Sequence, residues 1–122
     1  MKPTPGYWCE CWTTTNGDGK SALLASIDAD TAEQAIRWIA IALHTVEPAL
    51  DVDASAKAWR WFYEDRHTMA EDLLHLEPVA LSITSTKTNI TWTARPVSFL
   101  PLAHRQNTQL PPCTQQFRPP SP

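Results

Sequence analysis

Along this 122-residue chain the apolar residues change their spacing twice, and that change constrains the fold more than any single motif. Residues 7 to 15, Y-W-C-E-C-W-T-T-T, are rich in aromatics and threonine and lack helical spacing, so they predict a strand. Asn16-Gly17-Asp18-Gly19 follows with turn chemistry, because Asn and Gly tolerate positive φ. In S-A-L-L-A-S-I, Leu23, Ala25 and Ile27 recur at period two and are expected on one face of a second strand. The spacing then shifts to three and four. Asp30-Thr31-Ala32-Glu33 has the form of a helix start with Asp30 as its cap. Ala32, Ala35, Ile36, Ile39, Leu43 and Val46 form one stripe of a helix that stops before Pro48, with Trp38 and Ile41 on the opposite side.

A second helical pattern runs from about Ala54. Trp59, Phe62, Tyr63, Ala70, Leu73 and Leu74 share a face, with Arg66 inside that stripe, and Trp61 falls among Lys57, Glu64 and Thr68 on the polar side. Thr68-Met69-Ala70-Glu71 repeats the capping pattern, which predicts a break near His67. Period two returns at Val79, Leu81 and Ile83 and, after a polar loop, at Ile90, Trp92 and Ala94. The order is ββααββ. It predicts an α+β fold of two layers, an antiparallel sheet built from two hairpins with helices packed on one face. The folded domain is expected over residues 1–96. Residues 97–122 are expected as a proline-rich, basic C-terminal tail with a short edge strand at 97–102, since the last 28 residues hold seven of the eleven prolines.

Charge is divided the same way. Residues 1–94 carry seven of the ten basic residues and all thirteen acidic ones, a net of −6, whereas Arg95, Arg105 and Arg118 have no acidic neighbours and give +3. An acidic body repels nucleic acid, which makes that partner unfavoured. Neither a signal peptide nor an uninterrupted apolar span is visible, so the expectation is a cytoplasmic protein without membrane insertion. Three cysteines, two of them one residue apart, do not form a secreted disulfide framework.

Catalytic patterns fail one by one. Gly19-Lys20-Ser21 ends like a phosphate-binding loop, but the first glycine of that motif would fall at position 14, which is Thr14, and the residues after Ser21 alternate like a strand rather than opening a helix. Cys9 and Cys11 point to one side of a strand, yet His44, His67, His75, His104 and Cys113 supply no second pair at ligand spacing, so burial under a helix is the expected role. There is no G-x-S-x-G, and Asp28, Asp30 and Glu33 are accounted for by the helix start they surround. No catalytic residue, metal or cofactor is expected.

The aromatics remain. Trp61 on the polar side, Trp38 and Ile41 opposite the core stripe, and Arg60 beside Trp61 together suggest a partner-binding patch, because exposed Trp and Arg make the anchors that dominate interfaces. The expected function is a small non-catalytic accessory module that occupies a partner protein, a profile common among accessory proteins of phages and mobile elements, with self-association as a further possibility. The alternative is a nucleic-acid-associated regulator acting through the basic tail or a hairpin.

Overall fold

In the computed structural model, which describes residues 3–86 and 88–100, the predicted order is present. Strands β1 (Thr4–Thr15) and β2 (Ser21–Ala29) are followed by helices α1 (Ala32–Val46), α2 (Val52–Arg60) and α3 (Arg66–Leu74), then by strands β3 (Val79–Thr84) and β4 (Thr88–Phe99). The four described strands form one antiparallel sheet in the order β2-β1-β4-β3, so the fourth strand lies between the first and the third. The helices cover one face. Cys9, Cys11, Ile83, Trp92 and Ala94 from that face meet Ala35, Ile36, Ile39, Leu43, Ala58, Trp61 and Leu73 from the helices to form the core.

The β1–β2 turn closes on Gly19, which sits at φ +70, where a side chain would be strained. Its N–H donates to the Thr15 carbonyl at 2.8 Å, and Thr15 N–H donates to the Lys20 carbonyl at 3.0 Å. Trp12 then pairs with Leu23 but Cys11 with Ala25, leaving Leu24 as the extra residue of a β-bulge. The bulge corrects the expected face of β2. Ala25 and Ile27 stand opposite the inward-facing Cys11 and Cys9, while Leu23 stands opposite the outward-facing Trp12 and is 46% exposed.

α1 buries Ala32, Ala35, Ile36, Ile39, Ala40 and Leu43, close to the predicted stripe. Its cap lies one residue later than expected. The Thr31 hydroxyl accepts from Gln34 N–H at 3.0 Å, and the Gln34 amide oxygen accepts from Asp30 N–H at 2.9 Å, so Gln34 plays the part expected of Glu33. No break occurs near His67. The helix runs on from α2 into α3 through one π-helical turn, Trp61–Asp65.

That turn has a packing reason. Ala54, Ala58 and Trp61 point at the core, and at about 100° per residue a regular helix would next bring Asp65 and Asp72 to the same side. The extra residue of the π turn delays the helix by about one position, so Leu73 is buried where Asp72 would otherwise point.

Val97–Phe99 do not form a separate edge strand, as expected for that patch, but continue β4 against Thr4–Gly6. The Ser85 N–H to Thr88 carbonyl bond at 2.8 Å sets the alternation of the β3–β4 ladder, which turns Pro96 toward the β3 side. β3 has ended by then, with Val79 opposite Ala94, so the missing N–H forfeits no ladder bond. Pro5 is placed in the same way beyond the end of β2, whose last pair is Tyr7 with Ala29. The remainder of the expected tail, 101–122, lies outside the described residues.

Candidate functional site

The side of the helical layer turned away from the sheet carries a cluster of stacked rings. His44, in the last turn of α1, lies on Phe62 with centroids 4.0 Å apart and planes 18° apart. Trp59 meets His44 and Phe62 edge-on, at 5.8 and 5.2 Å. Tyr63 stacks on Trp59 at 5.6 Å and 18°. Trp59, Phe62 and Tyr63 follow at three- and four-residue spacing, so one helix face carries all three. Glu47, in the 3-10 turn after α1, accepts from the Trp59 indole N–H at 3.2 Å and from the Ser55 hydroxyl, which ties the indole to the neighbouring connection.

This cluster is rooted in the core and ends in solvent. Phe62 touches the buried Trp61 at 5.6 Å, and the Arg66 guanidinium lies 5.9 Å over the Trp61 ring. At the outer end Tyr63 is 75% exposed and Trp59 38%. Ile41, 60% exposed, stands one turn before His44 on α1 and prolongs the patch. Beside it a groove of about 550 Å³ runs between α1 and α3, lined by Ile36, Phe62, Arg66, Ala70 and Leu74 among others.

The expected patch is therefore corrected in part. Trp61 is 1% exposed and belongs to the core, because Ala54 and Ala58 let the helix approach closely and Trp61 continues their side. Trp59 and Tyr63, expected inside, take the outer positions. Ile41 and Arg60 are exposed as expected, and Trp38 is half-buried against the edge of the core.

A second aromatic surface went unread in the sequence, although its signal was there. With Cys9 and Cys11 facing the helices, alternation forces Trp8, Glu10 and Trp12 onto the open face of the sheet. The two carboxylate oxygens of Glu10 each accept one indole N–H, from Trp8 at 2.9 Å and from Trp12 at 3.0 Å. These bonds, Trp12 first and Trp8 second, with Arg95 adding attraction, hold the Glu10 carboxyl below the usual glutamate range.

The remaining chemical candidates are structural in place. Cys9 and Cys11 are buried free thiols. Burial, then the Asp28 charge, pushes Cys9 up to about 11, and burial raises Cys11, so both are held as thiols. Lys20 N–H bonds the Asp18 carboxylate at 2.9 Å within the hairpin turn, and Ser21 opens a strand, so Gly19-Lys20-Ser21 presents no helix N-terminus to a phosphate. Asp51 caps α2 by accepting from Ala54 N–H at 2.9 Å and also receives the hydroxyls of Ser85 and Thr86, fastening the β3–β4 turn to the helix. The Ala54 N–H is the main reason its carboxyl lies below the usual aspartate range. Among the described residues no group of three or more His, Cys, Asp or Glu is placed to hold a metal ion, and no helix is long and apolar enough to cross a membrane.

Set against known proteins, the chain matches no family model, no curated protein and no solved structure.

Proposed function

We propose that this chain is a small non-catalytic protein-binding module that acts by occupying a partner protein with the outer face of α1 and α2. The observation that carries this reading is the Tyr63–Trp59–His44–Phe62 stack standing in solvent while the core has room for two other tryptophans, Trp61 and Trp92. Rings already stacked and tethered lose little freedom on binding, and Trp, Tyr and Arg are the residues that most often anchor an interface. Ile41 and Arg60 supply an apolar and a cationic contact beside them.

The test is affinity capture from host lysate with the wild-type chain and a Trp59→Ala/Tyr63→Ala variant, half of each sample treated with nuclease. A protein that survives nuclease and is lost with the variant supports the reading. Capture unchanged by the double substitution overturns it, and recovery abolished by nuclease replaces it with the nucleic-acid-associated alternative.

A further inference from the structure

The sheet ends in two edges that differ in how they are guarded. The β3 edge is blunted by shortness, at six residues, by Pro78 just before it, and by Pro96 where β4 runs past its end. β2 is nine residues long and has neither proline nor charge from Ser21 to Ile27. Ser21 to Ala25 are all exposed, Leu24 at 60% and Leu23 at 46%, and β1 is the strand with which β2 pairs. Among the described residues, such an edge offers a row of unpaired N–H and C=O groups to another strand.

Three features say which strand fits it. First, Ser21-Ala22-Leu23-Leu24-Ala25-Ser26 reads the same in both directions, so an antiparallel pair of copies related by a two-fold axis would set serine opposite serine, alanine opposite alanine and leucine opposite leucine. Second, the Leu24 bulge makes that register geometrically sound. In a regular strand residues five apart lie on opposite faces, but Ser21 pairs with Thr14 and Ser26 with Glu10, two residues on the same outer face. By ladder alternation both serines also turn their backbone groups away from β1, while Ala22 and Ala25 turn theirs toward it. The opposed serines and the opposed alanines thus agree in both side-chain face and hydrogen-bonding position. Third, Lys20 precedes the strand and Asp28 lies near its end, so antiparallel pairing brings opposite charges together at both ends.

We propose that two copies of this chain join β2 to β2, antiparallel across a two-fold axis, with Ser21 opposite Ser26 and Ala22 opposite Ala25, which makes one continuous sheet through both subunits. The first experiment is sedimentation equilibrium over a micromolar concentration series. The wild-type chain is expected to approach twice its 13.7 kDa mass, and Leu24→Lys to remain at once that mass, with a thermal melt confirming that the variant is folded. Leu23→Lys serves the same purpose should Leu24→Lys fail to fold. The register is read separately. In a Cys113→Ser background, Ala22→Cys/Ala25→Cys is expected to give a disulfide-linked dimer on a non-reducing gel, and either single cysteine is not, because opposed non-hydrogen-bonded positions lie within disulfide reach. A wild-type chain that stays at 13.7 kDa throughout overturns the proposal, as does a dimer that survives folded Leu24→Lys or Leu23→Lys, or one that the cysteine pair fails to link. Trp59→Ala/Tyr63→Ala is expected to leave the mass unchanged, which separates this contact from the helical surface.

Discussion

Trp59 and Trp61 stand two positions apart on one helix and have opposite surroundings. Removing the buried Trp61 indole is expected to cost about 3–5 kcal/mol, because the core around it cannot collapse fully. A domain of this size has about 5–15 kcal/mol in total, so Trp61→Ala is expected to melt far below wild type, or not to fold, in a calorimetric scan. Trp59→Ala, which gives up ring contacts at the surface and leaves no closed cavity, should lose clearly less; equal losses in the two variants would refute the assignment of core and surface. On the sheet's open face, Glu10 ties its two indoles through an ionised carboxylate. A depressed carboxyl stabilises the fold above the ordinary glutamate range and loses that contribution as pH falls through its lowered value. The indole N–H resonances of Trp8 and Trp12 are therefore expected to shift together in an acid titration, with a midpoint below that of free glutamate, and to stay fixed in Glu10→Gln.

At the level of elements, the legible parts of the chain were those in which period and side-chain class agreed. α1 could be read because its small and branched apolar residues mark one stripe, and β3 and β4 because alternation runs through them without interruption. Two irregularities were not legible. The bulge at Leu24 arises from pairing with β1, a strand-to-strand property that a single strand's residues do not display. The π turn is chosen because Asp65 and Asp72 would otherwise face the core, a conflict visible only once the Ala54–Ala58–Trp61 side is known to point inward. That unread rotation is also why the candidate surface was assigned to Trp61 instead of Trp59 and Tyr63. It gives a direct test. Deleting the exposed Glu64 removes the extra residue and leaves a regular helix that still turns Leu73 inward, so the deletion is expected to melt close to wild type, whereas inserting one alanine after Glu64 turns Asp72 inward and is expected to lower the melting temperature sharply. Similar melts for the two would mean that the π turn has no part in orienting α3.

For the molecule as a whole, the strand order places the decisive contacts at the ends of the described chain. β4 pairs with β1 along twelve positions, from Thr4 with Phe99 to Thr15 with Thr88, and supplies Trp92 and Ala94 to the core. A chain that stops after Thr86 retains the first hairpin and all three helices but has β1 and β3 with no strand between them. It is expected to show no cooperative melt by circular dichroism, and a cooperative transition would show that the helices and first hairpin form a domain alone.

The interior position of β4 also bears on how the protein comes into being. During synthesis the first hairpin and the helices emerge before the strand that joins the two halves of the sheet, so the apolar undersides of both must wait without their common neighbour. Closing that gap brings together residues separated by nearly the whole described length, which is the slow kind of contact. Folding is therefore expected to be a single late event, and the interval before it is when this chain most needs a chaperone.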